Sequence, residues 1–324
     1  MRLALATLDE RIVGSDPGFR AALVRHGASL DDSASLVLHA CTPQEFQPRR
    51  GRINVLWFSC TEAPMSEASL KKVRRADGLL VTSRYGTELA NPELFRSRVP
   101  YAIARPAFDP SIFHRDAGRK SVELIEGLPF VVLVDGTQGE LSEEGIAALA
   151  EAWRDSLGDD QTVKLVVLLH PDAASLAGEQ GNVTISAISA SPGYRASCYR
   201  GSNLLVIPST TMSPGRVRVE AAACGLPIVA PFWGADLSFT CEKTAFHVNH
   251  RMLRATAETE AICDPADLAR ILGRARRRYG EHQKRARRAA VRAGNSWTID
   301  EVARDVRETL RRIRNSARSL KLAA

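Results

Sequence analysis

No apolar run in the 324-residue chain approaches the roughly 18 to 20 residues that span a bilayer; 165–169 and 204–208 have strand length. A signal peptide is not expected at the N-terminus either. Met1 to Ala6 is followed at once by Thr7, Asp9 and Glu10, too short and too soon charged for a signal peptide, and is read as a first strand. These absences predict a soluble, cytoplasmic protein. Cysteine is sparse: Cys41, Cys60, Cys198, Cys224, Cys241 and Cys263 form no CxxC pair, and the seven histidines are equally dispersed. That pattern points away from both a zinc cluster and a disulfide framework and predicts reduced, partly buried thiols. Repeats of solenoid period are also missing.

Charge is present, and unevenly placed. The net charge is +7, but residues 270–324 hold 17 Lys and Arg against 5 Asp and Glu, leaving 27 against 32 in the rest. A basic end on a mildly acidic body suits an anionic surface or polymer, or simply solvates helices. With 44% hydrophobic residues and this length, two domains of modest size are expected.

Strands are predicted over 2–7, 35–39, 53–58, 78–82 and 99–104, with helices over 19–26, 66–75 and from 85 onward. The polar stretch 114–121 is taken as a boundary, giving an N-terminal domain of 1–118. A second series follows, with strands over 130–134, 163–169, 183–188, 204–207 and 227–230 and helices over 143–156, 194–200 and 217–224. Helices over 266–279, 281–293 and 299–318 complete the chain, punctuated by Gly280 and Gly294. This gives a second domain of 119–295 and a terminal helix, 296–324, expected to cross back to the first domain. Alternating strands and helices predict parallel sheets covered by helices, two doubly wound α/β units whose strand ends face a cleft suited to a two-part ligand.

The stretch 204–230 is the most informative. A buried strand ends at Pro208, a small-residue loop holds Ser209, Ser213 and Gly215, and a helix containing Arg216 and Glu220 ends at Gly225 before Pro227. Unpaired amides and the positive end of a helix dipole suit a phosphate or diphosphate. Glu220 lies among small apolar residues. A buried carboxylate needs donors, and a ribose diol would supply them.

These residues resemble the donor-binding motif of the family-4 retaining glycosyltransferases. Pro208, Ser209, Gly215, Glu220, Ala221, Ala223, Cys224, Gly225, Pro227, Val229 and Ala230 stand at the motif's positions. Residues 76–83, 105–113, the Ser296-Trp297 pair and the loop 58–64 are similar to further family segments. The resemblance implies the GT-B fold and a nucleotide-diphosphate sugar donor, with UDP as the favoured nucleotide. It also implies retention of anomeric configuration and no requirement for metal. On the same basis Glu220 would hold the ribose, Ser209 and the amides from Ser213 to Arg216 would face phosphate or sugar, and His39 and Glu62 become the catalytic-side candidates.

Three departures stand out. Met212 replaces an acidic residue that ordinarily contacts the donor sugar. The loop after the second domain's first strand carries Asp135 and Glu140 where the family has a basic pair, and a carboxylate beside a diphosphate would be unfavourable. Arg216 and Arg218, or Arg195 and Arg200, are the substitutes on offer. Third, the N-terminal domain is lean, which implies a large or exposed acceptor or an oligomeric partner that completes the site. Alternatives therefore stay open: a glycosyltransferase acting on DNA bases, or a non-catalytic binding or assembly module. The basic C-terminal region would serve nucleic acid or an anionic membrane surface, although no aromatic-rich strand platform supports nucleic-acid reading.

Overall fold

The computed structural model describes residues 1–9, 13, 16–59, 65–84, 99–115, 122–128, 130–138, 141–211, 215–234, 237, 241, 243–255 and 258–322. The first part of the chain runs β1 (Arg2–Leu8), α1 (Asp16–Arg25), β2 (Ser29–Leu30), β3 (Leu36–Ala40), β4 (Ile53–Phe58), α2 (Glu67–Val73), β5 (Gly78–Val81) and β6 (Tyr101–Ile103). Its strands form one parallel sheet in the order β2-β1-β3-β4-β5-β6. Strands β3, β4 and β5 are buried along their whole length, the mark of a parallel sheet covered on both faces.

The second part runs β7 (Val131–Gly136), α3 (Glu143–Ser156), β8 (Lys164–Leu169), β9 (Gly178–Gln180), β10 (Val183–Ala187), α4 (Pro192–Gly201), β11 (Leu204–Val206), β12 (Ser209–Thr211), α5 (Arg216–Ala223), β13 (Ile228–Pro231) and β14 (Phe246–Val248). A hairpin of β15 (His250–Ala255) and β16 (Glu258–Cys263) follows, then α6 (Pro265–Arg277), α7 (Tyr279–Ser296) and α8 (Ile299–Leu322). The main sheet has the order β14-β13-β11-β7-β8-β10-β9 and is parallel except where β9 meets β10. Strand β12 joins the hairpin as a small antiparallel sheet.

Local chemistry explains the helix starts. Ser142, Ser191 and Asp264 each accept a hydrogen bond from the amide three residues on, and proline opens α4 and α6. Helix α5 ends at Gly225, whose φ of +76° is the left-handed conformation that suits glycine.

Helix α8 belongs by packing to the first sheet. Ile299, Val302, Ala303, Val306, Leu310 and Ile313, at helical spacing along one face, are buried with residues of β1, β3, β4 and α1. Arg25 and His26 at the end of α1 bond Asp300, and the chain at Phe108 bonds both Trp297 and Ile299.

Two sequence expectations are corrected. Gly294 does not end a helix, since α7 continues to Ser296, whereas Gly280, its second residue, stands where α6 gives way to α7. A glycine weakens a helix interior by only about 1 kcal/mol, which the buried Ala286, Ala289 and Ala293 face offsets. The small sheet of β12, β15 and β16 was not anticipated, because the hairpin mixes charged and apolar residues with no strong turn dipeptide in its described part. The helix expected from residue 85 and most of the boundary stretch lie outside the described residues.

Candidate functional site

In the main sheet β7 is central, with β8 and β10 leading to one side and β11, β13 and β14 to the other. The carboxyl ends of β7 and β11 therefore flank the point where the winding reverses, the place where open α/β sheets leave a crevice for ligand. Thr137 and Gln138 follow β7 there, Ser209 follows β11, and α5 begins with Gly215 as its N-cap. Gly215 contributes no side-chain cap, so the first amides of α5 receive none from it.

Glu220, 2% exposed, is the centre of this region. The Arg195 guanidinium donates to both of its oxygens, from Nη2 to Oε1 at 3.1 Å and from Nη2 and Nε to Oε2 at 3.0 and 3.3 Å. Gln138 Nε2 donates to Oε2 at 3.3 Å, and Arg216 Nε lies 3.5 Å from Oε1. Burial raises the pKa of the Glu220 carboxyl, and Arg195 and then Arg216 offset only part of that rise. For Arg195 burial acts downward, but Glu220, Tyr199 and Asp135 outweigh it and hold the guanidinium charged. The expectation that Glu220 needs donors is met here by the protein itself, from α4, from its own helix and from the β7 loop.

Asp135 is also corrected. Its carboxylate does not confront the crevice as a free charge; Oδ2 accepts from the Tyr199 hydroxyl at 2.6 Å and Oδ1 from the Thr137 amide and hydroxyl at 2.9 and 2.6 Å. Tyr199 is fully buried, and burial, with Asp135 adding to it, raises its pKa far above the ordinary phenol range. Arg195 and Tyr199, four residues apart on α4, present one face to both carboxylates. Phe113 lies beside both, with its ring centroid 5.7 Å from the Arg195 guanidinium carbon.

The remaining candidates divide. Ser209 is 1% exposed and its Oγ accepts from Ser142 Oγ at 3.2 Å, so it fastens β12 to the start of α3. Gly215 and Arg216 stand at the start of α5 as expected. Arg200 donates to the Ile112 carbonyl at 3.0 Å and does not reach Glu220. Arg218 is 3% exposed. His39 is 3% exposed, its Nε2 bonds Asn54 Oδ1 at 3.0 Å, and its ring meets Phe46 edge-on. The Asn54 amide nitrogen already donates to Arg49 and Arg52 carbonyls, so Oδ1 must accept and His39 Nε2 must carry the proton. Burial lowers its pKa, keeping it neutral. Glu62, Met212 and Ser213 lie outside the described residues. Among the described residues no group of His, Cys, Asp or Glu could hold a metal ion, and no helix is long and apolar enough to cross a membrane.

Gln138 and Tyr199 were missed by sequence reasoning, and Arg195 entered it only as a substitute phosphate ligand. The i, i+4 spacing of Arg195 and Tyr199 beside a strand ending in Asp135 was the available signal.

The chain has the GT-B fold. It superimposes on HepE from Anabaena in complex with UDP with a TM-score of 0.64 at 14% identity, over 96% of this chain and 99% of that one. Against sucrose-phosphate synthase from Thermosynechococcus elongatus the TM-score is 0.66 at 13% identity, over 98% and 100% of the chains. A glycosyltransferase from Rickettsia africae gives 0.65 at 10% identity, over 96% and 98%. In sequence, the D-inositol 3-phosphate glycosyltransferase of Rhodococcus opacus is 36% identical over 117 residues, 34% of this chain and 26% of that protein's length. No protein-family model matches the chain.

Proposed function

We propose that the protein is a nucleotide-sugar-dependent glycosyltransferase, with a UDP-sugar as donor, that transfers the sugar to a hydroxyl acceptor with retention of configuration. The observation that carries this is Glu220, a buried carboxylate one turn inside α5, set behind a helix start that Gly215 leaves without a side-chain cap at the sheet's switch point. The helix start and Arg216 would take the diphosphate, and Glu220 the ribose. Asp135 is engaged by its own bonds to Tyr199 and Thr137, which tie both of its oxygens to the protein. A diphosphate bound by amides and guanidinium groups has its leaving charge stabilised without a metal ion. UDP in the HepE complex and the glycosyltransferase relative support the donor class.

Residues 1–118 would then receive the acceptor, 119–295 would bind the donor, and 296–324 would tie the two. For the surroundings of the acceptor, an anionic lipid surface fits better than nucleic acid: Lys284, Arg287 and Arg288 form an exposed stripe on α7, followed by Val291 at 64% exposure, with no aromatic among them. The second reading, a non-catalytic GT-B module, draws on one observation, that protein groups alone satisfy Glu220.

Calorimetric titration with UDP-, GDP-, ADP- and TDP-sugars and the matching diphosphates decides between the two. Hydrogen bonds to a charged group contribute about 1.5–3 kcal/mol, so Glu220→Ala should weaken the selected nucleotide by at least about tenfold. Binding of none of them by the wild-type chain would sink the transferase reading. With the donor in hand, the anomer released in slow donor hydrolysis, followed by NMR, tests retention.

A further inference from the structure

Arg195 and the two weaker partners of Glu220 are held in different ways. Arg195 meets the carboxylate as a fork, with three N–H contacts of 3.0 to 3.3 Å shared between both oxygens. Its Nη1 is tied to the Ala190 carbonyl at 3.1 Å, and its side chain is 7% exposed. Gln138 and Arg216 each make one longer contact to Glu220, 3.3 and 3.5 Å, one to each oxygen; Gln138 is partly buried and the Arg216 side chain is 11% exposed. A carboxylate has about four lone-pair sites. Arg195 Nη2 bridges both oxygens and its Nε adds to Oε2, whereas Gln138 and Arg216 approach one oxygen each, and those two contacts are the ones a vicinal diol would replace.

We infer that Arg195 is the permanent counter-ion of Glu220, a positioning residue that keeps the carboxylate ionised, while Gln138 and Arg216 are exchangeable partners that the two ribose hydroxyls of a nucleotide displace. This rests on the nucleotide reading above and adds to it which groups stay and which leave. In the exchange each hydroxyl donates to one oxygen, Gln138 returns to the loop, and Arg216 is freed at the start of α5, where a diphosphate would lie.

The charged and titratable groups around Glu220 come from three elements. Helix α4 presents Arg195 and Tyr199, the end of β7 presents Asp135 beside Gln138, and α5 itself presents Arg216 and Cys224. Helix α7 packs Ala289 and Ala293 into the same core. Burial, and to a lesser degree Asp135, opposes ionisation of Glu220, so losing Arg195, the larger of its two countercharges, shifts the carboxyl toward its protonated form. A protonated carboxyl offers one fewer acceptor and cannot hold both hydroxyls as charge-assisted bonds.

The test compares UDP with 2′,3′-dideoxy-UDP by calorimetry on the full chain. Because both ligands carry the same phosphates, the ratio of their dissociation constants isolates the ribose contacts at any pH. Wild type should prefer UDP by at least about tenfold from pH 6 to pH 9. Arg195→Met should lose this preference at pH 6, as Glu220→Gln does at every pH, and regain part of it toward pH 9. Arg195→Lys, which restores the charge without the fork, should keep it. Should Met cost the fold, Arg195→Gln, which retains one donor, reads the same ratio. A neutral Arg195 variant that discriminates at pH 6 as well as wild type overturns the inference while leaving the nucleotide reading intact. A wild-type chain that binds neither ligand removes both.

Discussion

Gly78 opens β5 directly beneath the terminal helix, and a single methyl there tests whether α8 is seated on the first sheet as the structure has it. A Cβ at this position would stand 2.8 Å from both Cδ1 and Cγ2 of Ile313 and 3.2 Å from Cγ1. Carbon contacts settle near 3.5 to 4 Å, roughly 1 Å further out. The Cδ1 atom could swing away, but Cγ2 is fixed to Cβ, and a β-branched residue in a helix has one strongly preferred χ1. Either the rotamer or the helix must shift, at about 1–3 kcal/mol. Gly to Ala at an unstrained position returns about 0.4–1 kcal/mol through the unfolded chain, so Gly78→Ala should destabilise by a net of about 1–2 kcal/mol. Ile313→Ala alone removes a buried side chain and should cost about 2–5 kcal/mol. In the double variant the new methyl enters the vacated space, so adding Gly78→Ala to Ile313→Ala becomes neutral or stabilising. The coupling should therefore be about 1.5–3 kcal/mol, read from urea unfolding of all four proteins at unchanged m-value. Effects that add to within about 0.5 kcal/mol would show that the two residues do not touch.

Acid sensitivity should trace to His282, which is fully buried, stacked on Phe246 with centroids 3.5 Å apart, and without a hydrogen bond at either nitrogen. Burial, then Arg285 and Arg274, depress its pKa to about 4, so the unfolded chain takes a proton near pH 6.5 while the folded chain does not. Stability is full above pH 6.5 and falls by roughly 3 kcal/mol as pH drops toward 4; His282→Phe should flatten that part of the urea-midpoint profile, and an unchanged slope would assign the acid loss elsewhere. On the surface, the α7 stripe of Lys284, Arg287 and Arg288 should draw the protein to vesicles rich in phosphatidylserine at low salt. At about 1 kcal/mol per basic residue, changing all three to Ala should weaken sedimentation with vesicles by at least tenfold; equal sedimentation of the variant, or binding of duplex DNA but not vesicles, would refute the lipid assignment.

The fold was legible where one physical signal dominates. Apolar runs such as 53–58 and 204–207 read as strands of a covered parallel sheet and fall within a residue or two of expectation, while α8 begins at Ile299 as expected and runs to Leu322, four residues past its expected end. The hairpin of β15 and β16 was not legible, since its half-exposed strands carry Arg, Thr and Glu beside Met, Leu and Ile and give no clear alternation. At the site, local motif reading located Gly215, Arg216 and Glu220, because a loop, a helix start and a helix interior are contiguous in sequence. It could not show that His39 bonds Asn54 on the next strand, or that Ser209 bonds Ser142, 67 residues away.

The same limit explains the treatment of the two carboxylates. Taken singly, Asp135 looks hostile to a diphosphate and Glu220 looks in need of a ligand, because a sequence displays each charge without its partner. The protein resolves both with one helix: α4 brings Arg195 to Glu220 and Tyr199 to Asp135 from consecutive turns. Neither choice could be exchanged for the other. A second arginine at 199 would compete for a carboxylate already hydrogen-bonded to Thr137, and a tyrosine at 195 would leave Glu220 buried without a permanent countercharge, a far costlier state than an unpaired hydroxyl. The missing basic pair after β7 is then not replaced in kind. On the proposed reading, one cation would hold the ribose-binding carboxylate ready, and the diphosphate would be left to the α5 amides and Arg216, the one guanidinium of the cluster whose contact with Glu220 is both single and long.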